Sequence, residues 1–513
     1  MKTDAKRAIL ALIEPSEFQK CGCLRTEMRK ENYMSLMSDS RVSLTSSRVH
    51  LPSGMLVVFL LSFLAGSLIC TNTSSAQTIT TLVSFNGSNG SEPGSGNLVS
   101  DANGDLFGTT YSGGAYGEGT IFEIVNTANG YAATPTILVS FDYADGAYPI
   151  SGLIIDADGD LFGTTESGGA FESGTVFEVA KNANGYASTP ATIVSFDIAD
   201  GTTPQASLIA DSNGDLFGTT SGGGAYGDGT VFEIAKTTSG YASTPVTLVT
   251  FDGYNGGIPL GRLLANSNGD LFGTTLVGGA SGYGTVFEIL NTASGYDPAP
   301  VTLISFGGVD GQYPYSGLIT DANGDLFGTT RLGGTSGYGT VFEIANFSSG
   351  YSGTPTTLVN FDNFDGAFPR GDLIADANGN LFGTTESGWG TYGAGTVFEV
   401  AKTTNGYASA PTTEISLGNV GGVGSNPYSG LIADLNGNLF GTTFSNNGTV
   451  YEVTGSGFVP PKQFAGSPGT PNCNGDSIST LAQTYGGIAH AAASLGYSGL
   501  PGLQSAVNSY CSQ

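Results

Sequence analysis

The 513-residue chain holds 81 Gly, 23 Tyr and 29 Phe against 16 Lys+Arg, and its formal net charge is −27. Short apolar runs broken by Gly, Asn and Asp place it among turn-rich all-β proteins, with enough chain to bury a large core. The acidic balance excludes nucleic acid and anionic membranes as partners and leaves cations, basic partners or neutral glycans.

Residues 1–76 read as a leader. They hold 9 of the 16 Lys+Arg and 3 of the 5 Cys, and contain the apolar run MLVVFLLSFLAGSLIC at 55–70. That run of 16 residues is shorter than the roughly 20 a spanning helix needs. Ser74, Ser75 and Ala76 then offer a signal peptidase small residues before Gln77. Export follows, to the cell surface or beyond, with no membrane insertion of the mature chain; an uncleaved anchor is the alternative. Starting at Met34 or Met37 would leave a more ordinary basic region containing Arg41 and Arg48. Ile69 is too bulky for a lipoprotein signal at Cys70. Beyond Ala76, 7 Lys+Arg face 37 Asp+Glu, about −30 charges.

From there one heptapeptide recurs. GDLFGTT begins at Gly104, Gly159, Gly214, Gly269 and Gly324, and GNLFGTT at Gly379 and Gly437, a 55-residue period that lengthens once to 58. A fixed period of this size marks one supersecondary unit, copied. In the unit spanning 151–196, four apolar segments stand out in order, GLIID, DLFGTT, GTVFEV and ATIVSF. Each is rich in β-branched or aromatic residues and bounded by turn residues, which predicts a four-stranded antiparallel meander.

The turn at 157–160, Asn-Gly in other units, is expected to supply the positive-φ residues of a tight two-residue hairpin. In the second strand Leu161, Gly163 and Thr165 share one face and Phe162 and Thr164 the other, so Gly163 leaves a notch for a ring or backbone. Such a unit has no core of its own. Seven copies predict a seven-bladed β-propeller over 77–456. Closure is legible at the chain ends: TTLVSF at 80–85 is a fourth-strand segment with no unit before it, and the last unit stops after its third strand near Thr454. Pairing 80–85 with 448–453 would close the ring and remove two exposed edges.

The repeat GxLFGTTxxGGxxxxGTVFEI, over roughly 80–454, resembles the GloVer-type tandem repeat of exported bacterial proteins with varied C-terminal anchoring segments. The resemblance implies export and a propeller-like fold. It brings no catalytic residue. This chain departs from that pattern in lacking an apolar helix followed by basic residues at its C-terminus.

After Thr454 a Gly/Pro/Ser linker is expected over 457–472, then a small helical module over 473–513 bracketed by Cys473 and Cys511. In an exported protein that pair reads as a disulfide worth roughly 4 kcal/mol by loop entropy.

The chemistry is restricted. The only His residues are His50 in the leader and His490 in the C-terminal segment, so the propeller has neither His nor Cys. Ser-His-Asp, Cys-His and zinc sites are therefore not expected in it, nor is a metal or cofactor. The Glu of GTVFE or GTVYE occurs in every unit, at Glu123, Glu178, Glu233, Glu288, Glu343, Glu399 and Glu452. Sevenfold repetition argues for a structural role, with hydrogen bonds between blades. The D-x-[DN]-G-[DN] turns carry Gly one place too early for a helical calcium loop.

Function is expected where the repeat varies. Blade topology puts the residue after GTT and the acidic fourth-strand loops, such as Asp142 and Asp145, on one face. The residue after GTT is Tyr111, Glu166, Ser221, Leu276, Arg331, Glu386 and Phe444 in turn, and the extra residues of the 58-residue interval fall there too, one near the only Trp, Trp389, and two in Asn419 to Gly424. Tyr111, Glu166, Arg331, Glu386 and Trp389 are the candidate ligand-binding residues. The favoured reading is a monomeric, non-catalytic binding or display propeller for a glycan, cation or surface protein. The alternative is a glycan-active hydrolase or lyase using a carboxylate pair such as Glu166 and Glu386.

Overall fold

A computed structural model of the chain describes residues 77–388, 393–418 and 422–461. Over these residues it is a seven-bladed β-propeller. Blade 2 is representative: Ile154–Ile155, Leu161–Thr165, Thr175–Val179 and Ala191–Ser195 pair antiparallel in sequence order. Both faces of each blade are buried against neighbours. Leu161 joins Phe107 and Val139 of blade 1, whereas Phe162 joins Leu208 and Phe232 of blade 3. The apolar clusters are therefore built between successive blades rather than within one, as expected of units that cannot bury a face alone.

The heptapeptide has a separate task for each residue. The notch at Gly163 is filled by the Phe177 ring of the paired strand; a Cβ there would stand 2.6 Å from Phe177 Cζ. Thr164 Oγ1 donates to Ala206 O of the next blade, and the equivalent Thr109, Thr219, Thr274 and Thr384 make the same reach. Thr165 Oγ1 lies 2.8 Å from Thr175 Oγ1 across the strand pair and accepts the Thr175 N–H. This buried hydroxyl pair recurs in all seven blades. It satisfies two polar groups that would otherwise be buried alone.

The turn between the first two strands differs from expectation. Asp156 N–H donates to Asp160 O and Gly159 N–H to Asp156 O, which makes a three-residue loop in which only Gly159 has positive φ (87°). Asp156 Oδ1 accepts the N–H groups of Asp158 and Asp160 and so caps the turn from inside. The aspartate, absent from two-residue hairpin logic, is what selects the longer loop.

Ring closure pairs the expected segments. Thr78–Ser84 pairs antiparallel with Thr449–Thr454, Thr80 facing Glu452 and Ser84 facing Thr449, with a bulge between Thr81 and Val83. Val83 and Phe85 complete the core between blades 7 and 1.

Between the third and fourth strands of blades 1 to 6 lies a short two-stranded ribbon ending in Gly-Tyr, such as Lys181–Asn182 with Gly185–Tyr186. Its tyrosine packs edge-on against the LFGTT phenylalanine of the preceding blade, Tyr186 on Phe107 at 5.5 Å and Tyr241 on Phe162 at 5.4 Å. Blade 7 has no such ribbon, and Phe458 takes its place on Phe382 at 5.1 Å. Phe458 is buried, so the segment read as a linker begins inside the propeller's packing.

The repeated glutamates do not bridge blades by hydrogen bonds. Each is half-buried, and burial, with the nearby turn aspartates in support, pushes its carboxyl above the usual range, as for Glu178 beside Asp160 and Asp156. The leader, Trp389, and the helical module with Cys473 and Cys511 lie outside the described residues.

Candidate functional site at the channel mouth

The seven first strands line a central channel. At one end, which carries the loops after GTT, each blade places a non-glycine residue in the left-handed region just before a proline. These are Glu92, Tyr148, Thr203, Ile258, Tyr313, Phe368 and Asn426, with φ between 52° and 60°. The strain of such a residue is about 1–3 kcal/mol and persists only where the surroundings enforce it. Here both sides are pinned. Tyr148 N–H donates to Glu118 O of the preceding blade, while its carbonyl accepts the N–H of Glu166; Tyr313 binds Tyr283 O and Arg331 N–H in the same way. This clamp positions the residue that follows GTT.

Four of the five sequence candidates fall on this rim. Tyr111 stacks on Tyr148 with centroids 5.0 Å apart and planes 23° from parallel. Glu166 lies close enough for its charge to help raise the Tyr111 phenol, after burial as the main cause. Burial also pushes the Glu166 carboxyl up, and Gln205 partly offsets this. Arg331 and Glu386 come together: Nε donates to Oε2 at 3.1 Å, and Nη2 stands 3.1 Å from the same oxygen. The Arg331 guanidinium also covers the Phe368 ring at 5.6 Å. Trp389, the fifth, is outside the described residues.

The throat below the rim is built by residues that reading the GTT loops missed. Two positions change from repeat to repeat between the proline and the first-strand leucine. The upper one is Ile150, Gln205, Leu260, Tyr315, Arg370 and Tyr428 in blades 2 to 7, and the lower one is Asn97, Gly152, Ser207, Arg262, Gly317, Asp372 and Gly430 in blades 1 to 7. Most of them line a cavity of about 40 Å³. Asp372 Oδ1 accepts Gly317 N–H at 2.7 Å; Oδ2 accepts Asn97 Nδ2 at 3.1 Å and lies 3.0 Å from Arg262 Nε. Asn97 Oδ1 in turn accepts Gly430 N–H at 2.7 Å. The glycines make room, since a Cβ on Gly317 would stand 2.7 Å from Arg262 Cγ. Above this belt, the Arg370 guanidinium lies against Tyr315 and Tyr428, 4.1 and 4.3 Å from the ring centroids.

Fold and site thus rest on a strict repeat with a non-repeating throat. The Gloeobacter/Verrucomicrobia repeat family model matches residues 65–266, 212–452 and 302–496. The chain belongs to this family. No curated protein matches it in sequence. Solved structures similar to this repeat protein include a Trichoderma reesei Carbohydrate-Active Enzymes Family AA12 protein, 14% identical over 74% of this chain and 96% of that one, TM-score 0.39. A putative 6-phosphogluconolactonase from Bacteroides uniformis is 15% identical over 66% and 88%, TM-score 0.40. PorZ, a bacterial surface component of the type-IX secretion system of Porphyromonas gingivalis, is 14% identical over 69% and 46%, TM-score 0.42.

In this family member the fourth-strand loop carboxylates turn out to be internal caps. Asp142 Oδ1 accepts the N–H groups of Ala144 and Asp145, and Asp145 Oδ1 accepts that of Asp142. Asp197 with Asp200, and Asp362 with Asp365, repeat the arrangement. They hold loop backbone. Beyond the belt the channel widens at its other end to about 520 Å³, lined by first-strand residues such as Leu208, Leu263 and Leu431 and by Pro460 and Pro461 from the C-terminal segment.

Proposed function

We propose that this chain is an exported, non-catalytic binding propeller whose ligand site is the channel mouth. The observation that carries this reading is convergence. The Arg370 guanidinium lies 4.1 Å from the Tyr315 ring and 4.3 Å from the Tyr428 ring, and Arg331 pairs with Glu386 at 3.1 Å, so non-repeating side chains of blades 5, 6 and 7 meet at the mouth. Repeated positions are committed to packing, and what varies is what a ligand would read. Aromatic and charged groups of this kind suit a glycan or a protein surface. Trp389 stays in the candidate set. The enzyme reading draws support from Glu166, whose raised pKa suits a proton donor. Its candidate partner Glu386 is ion-paired with Arg331.

A glycan array followed by affinity measurements on Arg331→Gln, Tyr428→Ala and Trp389→Ala tests the proposal. At least two of the three should weaken binding tenfold or more. Wild-type affinity in all three, with binding abolished by substitutions at Asn213 and Asn268 on the opposite end, would sink it. Hydrolysis or elimination products lost in Glu166→Gln would establish the enzyme instead.

A further inference from the structure

Among the described residues the propeller has six Lys and Arg. Lys181, Arg262, Arg331 and Lys402 each form an ion pair with a carboxylate. Lys236 is exposed, over the Tyr241 ring. Arg370 is different. It is half-buried in the throat, its Nη2 donates to Tyr315 Oη at 2.9 Å, no carboxylate pairs with it among the described residues, and its Nε, like that of Arg262, is buried without a hydrogen-bond acceptor. A partly buried cation without a counter-charge is costly unless something compensates it.

The geometry limits what could do so. The Tyr315 and Tyr428 rings lie 4.1 and 4.3 Å from the guanidinium carbon and Tyr315 Oη takes one Nη2 hydrogen, so a new partner must use the remaining guanidinium hydrogens, whose planar array matches a carboxylate. The Asp372 carboxylate in the same cavity is engaged by Arg262, Asn97 and Gly317 N–H, which leaves Arg370 as the uncompensated charge there. The cavity, about 40 Å³, has room for a small polar group such as a carboxylate. Gln205 and Ser316 add polar lining around it.

We infer that Arg370 makes the throat an anion site that receives one carboxylate group of a larger ligand, with the remainder of that ligand lying on the rim. This rests on the binding reading of the same mouth and names the chemistry the ligand must carry. In a chain so acidic, a guanidinium without a carboxylate partner selects strongly for where such a ligand docks.

The test compares galacturonate, galactose and sulfate at equal ionic strength on the whole propeller protein, read as the shift in Tm for wild type, Arg370→Gln and Arg370→Lys. Galacturonate should raise the wild-type Tm by about 2 °C or more, galactose should not, and the shift should vanish in Arg370→Gln and fall in Arg370→Lys, which keeps charge but loses the planar fork. Ligand-free Tm values confirm that both variants fold, and Arg370→Lys alone suffices if the other does not. No shift with galacturonate, a shift that survives both substitutions, or an equal shift with sulfate overturns the carboxylate assignment. Any of these leaves the binding reading standing if rim substitutions still abolish an array hit, whereas intact binding in the rim variants brings that reading down by itself.

Discussion

Arg262 of blade 4 places its Nε 3.0 Å from Asp372 Oδ2 of blade 6, so one ion pair spans the intervening blade inside the throat. Both groups are mostly shielded from water, at 28% and 15% side-chain exposure, and the carboxylate also accepts a backbone N–H. Such a pair should be worth more than an open surface contact. In a double-mutant cycle of Arg262→Met and Asp372→Asn, a coupling of about 1–2 kcal/mol is expected from denaturant unfolding. Coupling near zero would mean that the belt is decorative.

Gly163→Ala should destabilise the propeller by about 1–3 kcal/mol, because the new methyl would meet Phe177 Cζ at 2.6 Å and Leu153 Cδ2 at 3.0 Å. Shortening the ring with Phe177→Leu in the same chain should recover part of the loss. Thermal unfolding of the single and double variants checks this, and an additive double variant would contradict it.

Removing residues 78–84 takes away the strand paired with Thr449–Thr454 and the Val83 contribution to the core between blades 7 and 1. Tm should fall by several degrees, and a synthetic peptide of that sequence should restore part of it. An unchanged Tm after the deletion would overturn ring closure as a source of stability.

Glu414 is 7% exposed, and burial, assisted by Glu399, pushes its carboxyl up from 4.5 to about 7. The native state therefore keeps a proton that the unfolded chain has released between those values. Stability falls as pH rises from about 4.5 through about 7. At the corresponding place the other repeats carry Leu or Ile, such as Leu138 and Ile193. Glu414→Gln, which keeps an acceptor for the Gln77 amide, should be more stable than wild type at pH 8 by up to about 3 kcal/mol and nearly equal at pH 4. Equal stability differences at both pH values would refute the titration.

The blade count, the four-stranded unit and the closing strand were legible without coordinates, because each is a local property copied at a fixed interval: turn residues, alternation, and an unpaired strand at each end. The notch at Gly163 was legible for the same reason, since side chains one strand apart in a meander are near in sequence. The throat was not. Asn97, Arg262 and Asp372 sit 165 and 110 residues apart in turn, and nothing local marks Asp372 as the acceptor for both. The signal that was present, variation at the two positions between proline and leucine, becomes meaningful only when seven first strands are brought around one axis. The Gly-Tyr of blades 1 to 6 was equally visible and equally mute, for its partner is a phenylalanine of the blade before. Phe458 makes the point most plainly: it matches no repeat position, yet it covers Phe382 as a tyrosine does elsewhere. Periodicity records what every blade does for itself, whereas the side chains that meet across blades are chosen by ring closure, which brings together residues the chain keeps far apart.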